Sequence, residues 1–347
     1  MNNKALRTAA TVPARHKLLS DLPMLGLGTA DNEKGDASMA EAIRYGTQEC
    51  GVQMLDTAQN YGSEIAIGKG LRGTRRSSVF IGTKVDLASA SFEDPRQRVR
   101  RQVASSLSNM GLTYIDSVVI HWPVCLDDAE ADHKLARAHA WQALEELHHA
   151  RIVRHIGVSN WSSNLLDELL ATAAVRPVLN QVEWSPVCHD PDLLAQCDQA
   201  GIAIVGYSPY GTCWMSKHAQ WAVQWAQTPL TSDATVLDVA AQVSRADGAD
   251  ACSAALVLLR WAMQLGVAPI PKSTDPSRIA ESMRAFDGAL ALNSQQMERL
   301  CSLRDRRRGV DASIERHLRI IGSRDYDGII ACGGLPPTYW VDELYKH

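Results

Sequence analysis

A (β/α)8 TIM barrel with an N-terminal β-hairpin and a C-terminal tail is the fold class the sequence predicts, and three observations carry it. Short apolar runs alternate with helical patterns eight times, without the tight spacing of antiparallel hairpins. Several runs are apolar throughout, as strands are when both faces of a sheet are buried. Polar residues gather at one end of the runs: Asp56, Lys84, His121, Ser159, Tyr207 and Lys272 stand at or just past the carboxyl ends. In such a barrel the carboxyl ends form the working face. A doubly wound open sheet is the alternative arrangement.

The elements follow in order. Residues 1–16 read as a disordered extension; Lys4, Arg7, Arg15 and Lys17 precede the first acid, Asp21, a pattern shared with organelle transit peptides. The segment 17–24 is expected to form a hairpin plugging the barrel floor. Strand 24–29 opens the repeat, and helical spacing follows over 38–50. Strand 52–56 ends on an acid and leads to helix 64–71. Strand 79–84 ends on a lysine, before a long amphipathic helix over 95–110. Strand 117–121 ends on a histidine and precedes helix 140–151. Strand 155–159 and helix 162–174, then strand 178–183 and helix 191–200, continue the alternation. Strand 202–207, helix 252–265 and strand 267–271 complete it. The barrel is assigned to 17–308. Beyond Leu303 the rhythm stops, and 309–347 form an aromatic tail expected to pack against the body of the barrel.

Composition narrows the function classes. At 46% hydrophobic residues, the 347-residue chain builds a core without disulfides or metal. A formal charge of -4 gives no electrostatic reason to expect nucleic acid. The eight cysteines form no C-x-x-C pair, which reads as thiols in a reducing compartment, here the cytoplasm. No apolar run has the length of a membrane span. A monomer or weak oligomer acting on a small molecule is the expectation.

Asp56, Tyr61, Lys84 and His121 are the central constellation. Singly, each has an ordinary reading: an ion pair, a loop aromatic, a core histidine. Together at the ends of neighbouring strands they can deliver a proton. A second constellation lies in Pro269-Ile270-Pro271-Lys272-Ser273-Thr274-Asp275-Pro276-Ser277-Arg278. Asp275 before Pro276 starts a helix, and Lys272, Ser273 and Arg278 surround its amino terminus, which suits a phosphate. An ordinary capped helix is the alternative. Gly68-Lys69-Gly70-Leu71-Arg72-Gly73 matches G-x-G-x-x-G in letters, but it follows a helix instead of preceding one, so it reads as a helix end. The Asn160-Trp161-Ser162 sequon falls on the pocket rim and is discounted. His148-His149 and Arg304 to Arg308 read as solvated surface.

The chain resembles the aldo-keto reductases, of the aldose reductase and xylose reductase kind, from about residue 18 to 308. The resemblance is carried by Leu25-Gly26-Leu27-Gly28-Thr29, Leu55-Asp56-Thr57-Ala58-Gln59-Asn60-Tyr61-Gly62-Ser63-Glu64, Gly82-Thr83-Lys84 and Ile120-His121-Trp122-Pro123. It continues through Gly157-Val158-Ser159-Asn160, Asn180-Gln181-Val182-Glu183, Gly206-Tyr207-Ser208-Pro209 and Ile270-Pro271-Lys272-Ser273. It implies reduction of aldehydes and ketones with NADPH (oxidised form NADP+). In that scheme Tyr61 donates the proton, Lys84 lowers the Tyr61 pKa, Asp56 pairs with Lys84, and His121 orients the carbonyl. It also implies that Ser159, Asn160 and Gln181 meet the carboxamide, and that Tyr207, with Ser208 beside it, stacks on the nicotinamide. Lys272, Ser273 and Arg278 would hold the 2′-phosphate; Glu281 and Ser282 would meet adenine, where the family often has Asn at the latter position. Substrate contacts would come from Trp122, and from Ala30 and Val85 where relatives carry aromatics, implying a wider pocket. Trp214, Trp221 and Trp225 would partly cover the cofactor or pack as a small helix. The rival readings are a non-catalytic NADPH-binding sensor or regulatory subunit, and a metal- or phosphate-dependent barrel hydrolase or aldolase.

Overall fold

Prolines and glycines decide where the sheet joins itself. A computed structural model of the chain describes residues 16–30, 35–87, 93–125, 132–211, 230–247 and 252–304. Its strands are β1 (Leu27–Gly28), β2 (Met54–Asp56), β3 (Phe80–Leu87), β4 (Ile115–Cys125), β5 (Val153–Ser159), β6 (Leu179–Glu183), β7 (Ala203–Tyr207) and β8 (Ala268–Pro269). All pair in parallel, in chain order. Because Pro269 and Pro271 lack N–H groups, they only accept. Gly26 and Gly28 donate to their carbonyls at 3.0 and 2.9 Å, and a parallel bridge joins Gly28 to Lys272. A Cβ on Gly28 would come within 3.1 Å of the Ile270 carbonyl oxygen, so glycine keeps this seam close. The sequential order and the closing seam make a (β/α)8 barrel and exclude the doubly wound alternative.

Ten α-helices occur among the described residues: α1 (Gly35–Gln48), α2 (Glu64–Gly70), α3 (Pro95–Met110), α4 (His133–His149), α5 (Ser163–Leu170), α6 (Pro191–Ala200), α7 (Ala234–Asp247), α8 (Ala254–Gln264), α9 (Pro276–Met283) and α10 (Ser294–Cys301). Helix boundaries follow local chemistry. Asp94 and Asp190 cap helices that begin with proline, and Gly111 and Gly201 end them at φ values of 65° and 75°. α4 starts earlier than its sequence pattern, where the Asp132 carboxylate accepts from the Leu135 N–H. α7 and α10 were not anticipated; α10 is stabilised by a capping box between Asn293 and Gln296.

Side-chain alternation along the strands splits the core in two. Met54, Phe80, Leu179, Val205 and Ile270 fill the barrel interior with Leu22. Leu55, Ile81, Val118, Ile120 and Val182 face outward and belong to the larger cluster that includes helix residues. The plug is a tight reversal in which His16 N–H donates to the Leu22 carbonyl and Leu22 N–H to the Leu19 carbonyl. His16, assigned by sequence to the disordered extension, is instead buried and bonded through its ring to the Gly266 carbonyl. Burial of its ring under the barrel outweighs the polar composition of the preceding tail. The rest of that extension, Trp214, Trp221 and Trp225, and the tail 309–347 lie outside the described residues. No helix among those described is long and apolar enough to cross a membrane.

The glycine-rich stretch ends α2 and packs against helices. A Cβ on Gly68 would approach the Met110 carbonyl oxygen to 2.7 Å, and one on Gly70 the Ala40 carbonyl oxygen to 2.6 Å. Gly70→Ala is expected to cost about 1–3 kcal/mol in urea unfolding through overpacking. Dinucleotide affinity of the folded protein should stay unchanged; a selective loss of that affinity would mean that these glycines cradle a pyrophosphate.

Candidate active site

The four predicted residues come together: Asp56 ends β2 and Tyr61 follows it, while Lys84 and His121 lie within β3 and β4, which run past the predicted ends at 84 and 121 to Leu87 and Cys125. Lys84 Nζ donates to Asp56 Oδ2 at 2.6 Å and to the Thr57 carbonyl at 2.9 Å. It also lies 4.8 Å from the centroid of the Tyr61 ring. The Tyr61 ring meets the His121 imidazole edge-on, with centroids 5.9 Å apart. Gln181 Nε2 donates to Asp56 Oδ1 at 2.7 Å, so both carboxylate oxygens are engaged.

A buried scaffold aims Tyr61. The residue ends a short 3-10 turn, Gln59–Tyr61, and Gly62 reverses the chain at φ 65°. Behind it, the Ser63 hydroxyl lies 2.8 Å from that of Thr29 and 3.0 Å from that of Thr57. Thr29 N–H and hydroxyl both donate to the Asp56 carbonyl. Gln59 Nε2 donates to the Gln102 carbonyl at 2.7 Å, which ties the turn to α3. The turn is therefore held from β1, β2 and α3 together.

Charge in the site is set by competition. Burial alone would lower the Lys84 pKa, but the Asp56 carboxylate and Tyr61 outweigh it and the net shift is upward. Lys84 stays an ammonium. For Tyr61, burial raises the phenol pKa and the Lys84 ammonium pulls it down; Asp56 and Asp86 add to the rise, and the net shift is upward. Lys84 thus lowers the Tyr61 pKa as the resemblance implies, but burial outweighs it. Low-dielectric surroundings around the hydroxyl outweigh the nearby cation, so the phenol holds its proton through the neutral range.

Residues on β5, β6 and β7 form a second, adjoining set. Ser159 Oγ donates to the Gln181 carbonyl at 2.8 Å. Asn160, in the left-handed region at φ 64°, donates through Nδ2 to the His121 carbonyl and to Ser159 Oγ. Tyr207 donates its hydroxyl to Asn160 Oδ1 at 2.9 Å, and Ser208 follows at φ 50°. Asn160 is buried and bonded on both amide atoms, so its sequon is not a surface acceptor.

The third set stands past β8, at the start of α9. Here Asp275 Oδ1 accepts from the Ser277 and Arg278 N–H groups and from the Ser277 hydroxyl. That corrects the reading of a helix amino terminus offered to an anion, because the cap already takes its first donors. The cationic side chains of exposed Lys272 and Arg278 remain. Ser273 Oγ accepts from the Asp275 N–H at 3.0 Å, and Ser282 Oγ donates to the Arg278 carbonyl at 2.8 Å. Tyr210, not singled out by sequence, lies beside Ser282, Glu281 and Arg278; burial pushes its pKa up to about 12.

Val85 does not join the pocket. It is fully buried in the outward cluster. Strand alternation explains the correction: Lys84 points inward, so Val85 points out and Asp86 takes the inward position. Asp86 Oδ1 lies 3.2 Å from His121 Nδ1, a contact with no motif to announce it. Trp122 stacks obliquely beside His121, with ring centroids 6.1 Å apart, and half-buried Ala30 follows β1.

A model of the aldo/keto reductase family matches residues 24–305. The oxidoreductase YtbE of Bacillus subtilis is 31% identical over 291 residues, spanning 82% of this chain and 90% of that protein. D-galacturonate reductase of Fragaria ananassa is 29% identical over 311 residues, spanning 85% and 91%. The crystal structure of Bombyx mori aldo-keto reductase AKR2E4 in complex with NADP superposes with a TM-score of 0.69 at 27% identity, over 84% of this chain and 93% of that one.

The Lys84–Asp56 pair generates a stability test. Lys84→Met should cost about 3–5 kcal/mol in denaturant unfolding, because it strands a buried carboxylate. Adding Asp56→Asn should recover part of the loss, and strict additivity of the two would contradict the pairing.

Proposed function

This chain belongs to the aldo/keto reductase family, and from that premise we propose that it reduces small or sugar-like aldehydes and ketones to alcohols with NADPH, Tyr61 donating the proton. The observation that carries this reading is the Lys84 ammonium held between Asp56 and the Tyr61 ring, with the His121 imidazole edge-on to the same ring. When bound, NADPH supplies a hydride to the carbonyl carbon. Tyr61 gives its proton to the carbonyl oxygen as negative charge grows there, and Lys84 stabilises the phenolate left behind. His121 orients the carbonyl. Asp56 keeps Lys84 charged and aimed.

The residues present suit the cofactor. Ser159, Asn160 and Gln181 offer the hydroxyl and amide groups a carboxamide needs, and Tyr207 beside them offers a ring for the nicotinamide. Lys272, Ser273 and Arg278 supply cations and a hydroxyl for the 2′-phosphate, with Glu281, Ser282 and Tyr210 nearby for adenine. The NADP complex of the silkworm relative supports that cofactor, and the strawberry relative's name supports a sugar-like carbonyl. Substrate contacts are assigned to Trp122 and Ala30. Cys50, Cys188, Cys197, Cys252 and Cys301, in the thiol form, fit a reducing compartment, and the cytoplasm is proposed.

Two measurements test the reading. Tyr61→Phe should lower kcat for NADPH-dependent reduction of a reactive aromatic aldehyde by roughly 10²–10⁴-fold with NADPH affinity retained. Cofactor binding by wild type without any oxidation across an aldehyde panel would instead favour a non-catalytic NADPH sensor. Arg278→Ala should weaken NADPH relative to NADH by about 10-fold or more, the loss of one charge-assisted hydrogen bond; an unchanged preference would remove Arg278 from the phosphate site.

A further inference from the structure

His121 has a partner that the scheme above leaves unused. Asp86 extends from β3 two residues beyond Lys84, and its Oδ1 lies 3.2 Å from His121 Nδ1. Both side chains are largely enclosed, 23% and 10% exposed. Asp86 is itself clamped. Gln102 on α3 accepts from the Asp86 N–H at 2.9 Å and donates to its carbonyl at 3.0 Å, where the β3–β4 register shifts between Val85 and Leu87. The same Gln102 receives Gln59, so one helix residue ties the Tyr61 turn to the imidazole's partner.

Elementary acid–base chemistry then places the hydrogen. Burial pushes the Asp86 pKa up, but its bond to His121 and the charges of His121, Arg98 and Lys84 outweigh burial and leave it below the usual range. An ionised carboxylate only accepts, so His121 must carry its hydrogen on Nδ1. In a neutral imidazole the other nitrogen, Nε2, is then a lone-pair acceptor. A substrate carbonyl oxygen needs a donor, and Nε2 donates only when the ring is doubly protonated.

We propose that Asp86 is a positioning residue that locks the His121 hydrogen on Nδ1, so that His121 orients a carbonyl only as an imidazolium and presents an acceptor to an alcohol hydroxyl once neutral. The inference rests on the reductase reading of the site. It makes the balance between carbonyl and alcohol recognition depend on pH through one ring. The charged and titratable groups around that ring are Asp86 and Lys84 from β3, Asp56 from β2, Tyr61 from the turn after β2 and Arg98 from α3; from β5, neutral Asn160 meets its carbonyl.

The test uses the full chain labelled with ¹⁵N-histidine and long-range ¹H–¹⁵N correlation spectra, with His121→Gln to assign the ring. The expected result is a neutral wild-type ring protonated on Nδ1, with the hydrogen moving toward Nε2 in Asp86→Asn and staying on Nδ1 in Asp86→Glu. In parallel, wild-type kcat/KM for an aromatic aldehyde should fall as pH rises. In Asp86→Asn that fall should flatten and kcat/KM on the acid side should drop on the order of 10-fold, as expected for a mispositioned orienting group. A neutral wild-type ring protonated on Nε2 would overturn the proposal, as would Asp86→Asn with unaltered tautomer and pH profile. Wild type that consumes no NADPH would count against the reductase reading alone, while the spectra would still decide this one.

Discussion

One buried ion pair organises the working end of this barrel. Lys84 Nζ and Asp56 Oδ2 are 2.6 Å apart with side chains 1% and 10% exposed, and neither charge could stand there alone. An unpaired ion in such surroundings carries a penalty of several kcal/mol. Both groups must therefore arrive together, and the sheet register delivers them. Asp56 pairs with Gly82, which sets Lys84 two residues higher on the same inner face. Gln181 then takes the second Asp56 oxygen from across the barrel. Three strands, β2, β3 and β6, thus meet at one carboxylate, while Thr29 just past β1 braces the Asp56 backbone carbonyl.

The same enclosure sets the chemistry. Burial makes the phenol of Tyr61 a reluctant acid, and the ammonium lowers the cost of its leaving as phenolate. On the proposed reading, the site keeps a proton ready while remaining able to release it as charge develops on a substrate oxygen. Rigidity comes from the residues behind it: the hydroxyls of Thr29, Thr57 and Ser63, and the Gln59 amide donating to the Gln102 carbonyl, hold the Tyr61 turn against three elements.

Much of this was legible in the primary structure. The eight strand positions, the closure into a barrel and the gathering of Asp56, Tyr61, Lys84 and His121 follow from apolar runs that end on polar residues. The false dinucleotide fingerprint was recognisable because its glycines follow a helix. Other features were not legible. Val85 and Asp86 exchange roles with a one-residue change of face, which lettering alone does not settle in a run that loses register further on. The capping of α9 by Asp275 was visible, but its consumption of the N–H groups offered to an anion was not. His16 reads as part of a polar tail, whereas its ring is bonded to the Gly266 carbonyl.

What the amino-acid order determined by itself is local: which stretches extend or coil, where proline, glycine and capping acids end them, and which ionisable groups sit at strand ends. These depend on backbone sterics and on neighbours a few residues away. Tertiary structure alone decided the inward face taken by Asp86, the partner of His121 Nδ1 and the upward net shift of Tyr61. Those outcomes depend on burial and on contacts between distant positions, as when Gln181 reaches Asp56 across 125 residues of chain. Burial has no local signature, because it is made by the whole packed barrel.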